Sequence, residues 1–191
     1  MNEGKAREIR KALFGLRLKV ISLAEAGIRT PSPEKGATFK ENAEGKSRFY
    51  SRRSSYLTLA EDSGLEIEAL DGAPGIFSAR FSRQQTDEKN IQKVLRLMRD
   101  TPAPARRARF VCFMVLARNG RAVKTVTGRV RGNILFEKKG SLGFGYDPIF
   151  FYRPLRKTFA ELKPGEKNAV SHRGRALKKM KAFLREYLRR A

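Results

Sequence analysis

The segment 61–81 concentrates acidic side chains in a chain that carries 42 Lys and Arg residues against 19 Asp and Glu. Arg80 is its only base, and its acids are Glu61, Asp62, Glu66, Glu68 and Asp71. The first two follow the apolar run 56–60 and precede Ser63-Gly64, so we expect a buried strand to end here and a turn to expose both carboxylates. Mg²⁺ prefers one or two carboxylates together with phosphate oxygens. The segment therefore predicts a metal site that serves a phosphorylated substrate.

The acid pair has a simpler alternative explanation. Two adjacent acids at a strand end, taken alone, are also typical of a solvated turn. Adjacent strand residues point to opposite faces, so both acids can serve one ion only if the strand bends or ends between them.

Alternating helices and strands, followed by a long hairpin, predict the elements that position these residues. The predicted helices cover residues 3–14, 38–52 and 87–99, and a last one begins near Ser171. The predicted strands are 18–22, 56–61, 65–70, 107–118 and 121–135, with loops at 28–36 and 140–148 and turns at 72–75 and Asn119-Gly120. This order predicts an α/β fold with a mixed central sheet flanked by helices.

Length and composition indicate one globular domain over residues 1–191, with two lobes. No apolar run approaches the roughly 18–20 residues of a membrane span, and the N-terminus has no secretory signal, so we expect a cytoplasmic protein without a membrane partner. The single cysteine, Cys112, lies in an apolar run and is expected in the core.

The net charge of +23 predicts attraction to polyanions. The basic residues are scattered, with a denser run only at the C-terminus, whereas nucleic-acid readers usually concentrate them on one face. A generally Arg-rich, solvated surface explains the charge as well.

Three further clusters complete a recognisable pattern: the loop 34–43, the glycine-rich segment 143–150 and the segment 166–173. Together with the acidic segment, they make the chain resemble the inosine triphosphate pyrophosphatase family (XTP/dITP diphosphatases) over nearly its whole length. The resemblance implies Mg²⁺-dependent hydrolysis of ITP, dITP or XTP to the monophosphate and pyrophosphate, commonly by a homodimer. It also implies a two-lobed, inosine-triphosphatase-like fold.

The resemblance also implies roles for single residues at the phosphates. Asp62 matches the catalytic carboxylate that binds metal and activates water, Glu34 a second metal-linked acid, and Glu61 a position often held by Asp. Asn2 and Lys5 match the family's Asn-x-x-Lys phosphate-binding turn, and Ser63 matches a turn suited to a bound phosphate. We also place the ammonium groups of Lys5, Lys46 and Lys167 on the triphosphate, because a compact ammonium is a good phosphate ligand. Glu41 is explained as a helix cap reaching back towards Thr38, and we leave it out of the site.

A second group matches the positions that bind the nucleoside. Its members are Phe144, Gly145, Tyr146, Asp147, His172 and Arg173. An aromatic ring between glycines can stack on a purine, and Arg and His donors suit the 6-keto oxygen of inosine and xanthosine rather than the 6-amino group of adenosine. Guanine also carries the 6-keto group, so its rejection needs a feature that these residues do not supply.

The N-terminus departs from the family pattern. Family members have a β-strand that ends in Thr or Ser just before the Asn-x-x-Lys turn, whereas this sequence starts at Met1-Asn2. We expect the first strand to be missing, because of a start codon assigned too late, because the chain is a fragment, or because the protein tolerates the loss.

Two other functions stay open at this point. One is a nucleic-acid-binding protein that kept the fold and lost catalysis through truncation. The other is a pyrophosphatase of the same fold that acts on modified pyrimidines.

Overall fold

The computed structural model describes residues 3–190, apart from the side chains of residues 3, 4, 5 and 7. Its helices are α1 (Glu3–Leu13), α2 (Phe39–Ser51), α3 (Asp87–Leu97), α4 (Pro164–Val170) and α5 (His172–Arg190). Its strands are β1 (Thr58–Ile67), β2 (Arg107–Arg118), β3 (Arg121–Ile134), β4 (Phe150–Tyr152) and β5 (Lys157–Thr158). These elements confirm the predicted α/β class.

The strands form one sheet in the order β1-β2-β3-β4-β5. The β2–β3 hairpin turns at Asn119-Gly120, where φ is +51° and +77°, as a two-residue turn of this handedness requires. β4 pairs antiparallel with both β3 and β5. Arg107 pairs with Glu68 and Arg109 with Glu66, so β1 and β2 also run in opposite directions. The sheet is therefore antiparallel, not mixed.

The predicted break at Ser63-Gly64 is wrong, because β1 runs through these residues without interruption. Residues 57, 59, 65 and 67 are Leu, Leu, Leu and Ile, so the apolar alternation continues on both sides of the expected turn. Leu65 and Ile67 are fully buried. Burying this alternating face outweighs the turn preference of one Ser-Gly pair.

The chain divides into two compact units, in line with the predicted two lobes. Unit 1 comprises residues 1–62, 112–128 and 173–191, and unit 2 comprises residues 63–111 and 129–172. The core of unit 1 contains Leu13, Cys112, Met114, Leu116, Val126, Ala176, Leu177, Met180 and Leu184. The core of unit 2 is rich in aromatic rings and includes Phe110, Tyr146, Phe150, Tyr152 and Phe159. Cys112 is fully buried, as expected.

Two short segments differ from the prediction. Residues 18–22 form no strand, although Leu18 and Val20 pack against the core of unit 1; their apolar pattern reports burial rather than strand pairing. The helix α4 was not predicted, because seven residues give too short a pattern to recognise. In the part of the chain that the structure describes, no helix is long and apolar enough to span a membrane.

Arg106 is a buried structural cation in unit 2. It is 2% exposed, and its guanidinium donates to the carbonyl oxygens of Met98 (2.6 Å), Ile134 (2.9 Å) and Leu135 (2.9 Å). A planar group with five donors can serve several carbonyls at once. Arg106 therefore ties the end of α3 to the end of β3.

We predict that Arg106→Met lowers the free energy of unfolding by about 3–5 kcal/mol, because it leaves several buried carbonyls without donors. The matched control is the neighbouring Arg107→Met. Arg107 is exposed and forms a surface ion pair with Glu68, so its loss should cost about 1 kcal/mol or less. Urea unfolding followed by circular dichroism measures both values, and equal losses would contradict the assignment.

Candidate active site

Glu61 and Asp62 serve opposite faces of β1. Both lie inside the strand, where successive side chains alternate. Glu61 follows Leu57 and Leu59 on the face that carries core residues, and its Oε2 lies 3.5 Å from the Cys112 sulfur. Asp62 points to the other face, where α2 supplies its partners. The structure therefore does not bring the two acids to one ion.

Lys46 joins Asp62 to the second predicted metal-linked acid. Its Nζ lies 2.8 Å from Asp62 Oδ1 and 2.7 Å from Glu34 Oε1. The Lys46 and Asp62 side chains are 16% and 13% exposed, and Glu34 is more open at 35%. Three of the predicted site residues thus meet in one cluster. Two carboxylates converge on a single positive charge there. Carboxylates are the ligand type that Mg²⁺ takes together with water and phosphate oxygens.

The charge state of Lys46 follows from these neighbours. Burial by itself lowers the pKa of Lys46, but the carboxylates of Asp62 and Glu34 outweigh burial and raise the pKa above its ordinary value. Lys46 is therefore an ammonium at neutral pH. In this state it can neutralise either carboxylate or a phosphate.

Asn42 completes the cluster, although we did not select it from the sequence. It is 3% exposed; its Oδ1 accepts from Gly36 N at 2.9 Å and its Nδ2 donates to Asp62 Oδ2 at 3.4 Å. Asn42 thus connects the loop that carries Glu34 to Asp62. The only sequence signal was its place one residue after the capping box, on the inward side of α2.

The start of α2 holds this loop in place. Thr38 Oγ1 accepts from Glu41 N at 3.1 Å, and Glu41 Oε2 accepts from Ala37 N at 2.8 Å. A side chain at Gly36 would approach Glu41 Cβ to 2.7 Å. Glu41 is therefore a helix cap, as predicted, and the loop packs too closely for a larger residue at position 36.

Glu61 belongs to a buried ion cluster in unit 1. Its two carboxylate oxygens accept from Arg173 Nε (2.8 Å) and Nη2 (3.1 Å), while Glu8 accepts from Arg173 Nη1 at 2.9 Å. Burial alone would lower the pKa of Arg173, but Glu61 and Glu8 raise it well above its ordinary range. All three nitrogens of the guanidinium are engaged. Arg173 thus connects α1, β1 and α5.

In unit 2, Asp147 organises the glycine-rich loop. The Asp147 residue as a whole is 3% exposed, and its Oδ2 accepts from Phe144 N at 2.9 Å and from Lys167 Nζ at 2.5 Å. The Lys167 ammonium also lies 4.5 Å from the centre of the Phe144 ring. A side chain at Gly143 would meet Asp147 Oδ2 at 2.1 Å. These contacts present a half-buried Phe144 ring on a fixed backbone.

Asp87 is a second acid that contacts the glycine-rich loop, and the sequence did not predict this contact. It lies in the first turn of α3, and its Oδ2 accepts from Gly145 N at 2.7 Å. The loop also borders a cleft of about 430 Å³ that is lined in part by Asp87, Leu142 and Phe144. Nothing in the sequence near Asp87 indicates this contact, which joins positions 58 residues apart.

Tyr146 and His172 are both buried in unit 2. The Tyr146 hydroxyl donates to the Ser78 carbonyl at 2.9 Å, and burial, helped by Asp87, raises the pKa of this phenol. The His172 ring stacks on Phe110 with 4.7 Å between ring centres and 11° between planes. Tyr146 is thus a neutral structural anchor, and the stack fixes the orientation of the imidazole.

Three further residues were predicted to bind phosphate. Asn2 and the side chain of Lys5 lie outside the described part of the chain. Ser63 lies inside β1 rather than in a turn. Within the described residues, no group of three or more His, Cys, Asp or Glu side chains could hold a metal. A cation at Glu34 and Asp62 would therefore complete its shell with water and substrate oxygens, as Mg²⁺ commonly does.

Comparison with known proteins shows the family of the chain. Residues 1–183 match the profile of the Ham1 family. The chain belongs to the Ham1 family. It is 46% identical to a dITP/XTP pyrophosphatase of Exiguobacterium sibiricum over 98% of this chain and 95% of the relative, and 42% identical to that of Bacillus subtilis over 96% and 93%.

Solved Ham1 structures share the fold. The Ham1 protein of Staphylococcus aureus has a TM-score of 0.88 and 38% identity, with 97% of this chain and 95% of that chain covered. A HAM1 protein from Coxiella burnetii gives a TM-score of 0.88 and 39% identity over the same shares. These likenesses confirm the predicted family and fold class.

The opposite orientations of the two β1 acids predict different effects on stability. Glu61→Gln leaves the buried Arg173 with one carboxylate partner and should lower the free energy of unfolding by about 2–4 kcal/mol. Asp62→Asn leaves Lys46 paired with Glu34 and should cost about 1 kcal/mol. Urea denaturation measures both, and a loss in Asp62→Asn as large as that in Glu61→Gln would contradict the separation of roles.

Proposed function

We propose that this Ham1 protein hydrolyses non-canonical purine nucleoside triphosphates, namely ITP, dITP and XTP, to the monophosphate and pyrophosphate. Family membership and relatives named dITP/XTP pyrophosphatases support the activity. The observation that carries it is the cluster in which Asp62 and Glu34 converge on Lys46. Carboxylates with an adjacent ammonium are suited to a metal–phosphate substrate.

Glu34 and Asp62 are the residues that would hold Mg²⁺. The two carboxylates already face one positive charge, and the remaining ligands of the ion would be water and phosphate oxygens, which fits its preference. When bound, the ion supplies charge neutralisation at the phosphate oxygens. Glu61 has no part in this ligand set in our proposal, because its carboxylate is held by Arg173.

Asp62 is the proposed general base. It accepts a proton from water while the water oxygen forms a bond to the α-phosphorus, and the bond from that phosphorus to the bridging oxygen breaks to release pyrophosphate. The side-chain amide of Asn42 donates to Asp62 Oδ2 and so orients the carboxylate. Lys46 contributes positive charge to the phosphates. The resemblance implies that Lys5 adds a further charge and that Asn2 and Ser63 bind the phosphates as neutral polar groups. Lys167 is a further proposed phosphate-binding base.

The glycine-rich loop is the proposed contact for the base. Phe144 offers a ring for stacking, which is worth about 1–3 kcal/mol per base, while Gly145, Tyr146 and Asp147 shape the loop. His172, with its ring fixed by Phe110, is the proposed donor to the 6-keto oxygen. Arg173 acts in this proposal by positioning the start of α5, since Glu61 and Glu8 engage its nitrogens.

We predict that Asp62→Asn lowers kcat for ITP hydrolysis by at least about a hundredfold, because amide nitrogen and oxygen cannot accept the proton. Asp71→Asn is the matched control: Asp71 is an exposed acid in the same segment, with φ +49° that Asn tolerates. Its activity should stay close to that of the unchanged protein. Pyrophosphate release with Mg²⁺ is the measurement, and an active Asp62→Asn enzyme would remove Asp62 from the mechanism.

The same assay tests substrate choice. ITP, XTP and dITP should be hydrolysed faster than ATP, because donors facing the 6-position leave groups unpaired against adenine. GTP shares the 6-keto oxygen, so its rate measures a discrimination that these donors do not supply. Equal rates on all five nucleotides, or release of orthophosphate alone from ITP, would contradict the proposal.

Two glycines test the role of the loop. Gly143→Ala places a methyl 2.1 Å from Asp147 Oδ2, whereas nothing lies within 4 Å of the corresponding position in Gly145→Ala. Both residues have positive φ, so both variants carry similar backbone strain of about 1 kcal/mol. Gly143→Ala should therefore raise KM for ITP at least about tenfold more than Gly145→Ala does. Equal KM values for the two variants would show that the conformation of this loop does not affect nucleotide binding.

Two further expectations from the resemblance are part of the proposal. The chain is expected to act as a homodimer, which light scattering on purified protein measures, and to work in the cytoplasm, which fluorescence microscopy of a tagged protein would test.

A further inference from the structure

The exposed face of α5 carries a stripe of positive charge. The helix buries Ala176, Leu177, Met180 and Leu184 in the core of unit 1. Its exposed ionic residues are one acid, Glu186, and six bases: Arg175, Lys178, Lys179, Arg185, Arg189 and Arg190. Positions 178, 185 and 189 lie on one side of the helix, spaced by two turns and one turn. This local concentration differs from the scatter of bases along the rest of the sequence.

A groove with aromatic and basic walls runs beside this stripe within unit 1. It has a volume of about 600 Å³, and its lining includes Lys124 and Thr127 of β3 and Lys179, Phe183 and the acid Glu186 of α5. Its two ammonium groups outnumber this one carboxylate. The Lys124 ammonium lies 5.2 Å from the centre of the Phe183 ring, which in turn lies 5.5 Å from the Tyr187 ring. Lys179 Nζ is fixed by a 2.8 Å bond to the Thr127 carbonyl. The Phe183 ring of the groove therefore lies between an ammonium group and a second ring.

We infer that this stripe and groove form a binding surface for single-stranded nucleic acid. A basic track beside stacking rings is the combination that holds a single strand without sequence preference. An anionic membrane is less well matched, because a membrane-surface helix inserts its apolar face, and the apolar face of α5 is buried in the core. None of the groove residues belongs to the clusters assigned to the nucleoside triphosphate, so this function is separate from hydrolysis.

Fluorescence anisotropy with an end-labelled oligothymidylate of about 12 nucleotides tests this inference. The variant Lys178→Glu/Arg185→Glu/Arg189→Glu should weaken binding by at least about tenfold and reduce the slope of log affinity against log salt by about 2, since each lost phosphate contact on a single strand accounts for about 0.7. Phe183→Leu should weaken binding with little change in that slope, because it removes stacking and leaves the charges in place.

The matched control is Arg83→Glu/Arg96→Glu/Arg99→Glu, which changes the net charge equally at three exposed positions of unit 2. It should weaken binding by less than about threefold. Equal losses in the two triple variants would assign the binding to net charge and overturn the inference, as would binding to anionic phospholipid vesicles with none to the oligonucleotide. Thermal unfolding by circular dichroism verifies that each variant is folded.

Discussion

Side chains that are adjacent in a strand must point to opposite faces, and this constraint on β1 organises unit 1. Because β1 continues through Glu61 and Asp62, one carboxylate enters the core side and the other faces α2. The buried Glu61 pairs with Arg173, while Asp62 on the other face contacts Lys46 and Asn42. Two neighbouring residues of the same charge thereby face different surroundings, one in the core of unit 1 and one in the proposed active site.

The structural role of Glu61 follows from the cost of burying charge. An isolated ion in a core is strongly disfavoured, and a buried pair is tolerated only when its hydrogen-bonding groups are satisfied. Arg173 meets this condition with a two-point contact to Glu61 and a third bond to Glu8. Such pairs are seldom the most stable solution, since apolar residues of similar size often stabilise a core as well. What this pair supplies is a fixed orientation of β1, which also sets the direction of Asp62.

Sequence patterns predicted the elements that have strong local signals. The capping box of α2, the Asn119-Gly120 hairpin and the apolar stripe of α5 are all encoded within a few residues. The break in β1 was predicted wrongly because Ser63-Gly64 has a local turn preference, whereas the burial of Leu65 and Ile67 is decided by the whole strand. Residues 18–22 were wrongly predicted as a strand, because their apolar pattern reflects packing against the core and no strand pairing accompanies it.

The candidate site was predictable only in part. Resemblance pointed to Glu34 and Asp62, the suitability of an ammonium for phosphate pointed to Lys46, and the structure brings these three together. Asn42 and Asp87 were missed because their contacts join residues 20 and 58 positions apart, and a single sequence contains no record of such distances. The orientation of Glu61 was open because it depends on whether the strand continues past Ser63-Gly64, which is decided by burial of the whole apolar face of β1 and not by Glu61 itself.

In this chain, the positions of the acids indicate better than those of the bases where charged groups pair inside the fold. With 42 basic residues, almost any buried carboxylate can find a cationic partner, and Asp62, Asp147 and Glu61 each do so with side chains that are 13%, 4% and 8% exposed. A carboxylate in such a chain is thus readily neutralised wherever the fold places it. The converse does not hold, because 19 acids cannot pair all the bases. The surplus must stay in water or meet anions from outside, and the exposed stripe of α5 is where the structure concentrates part of it.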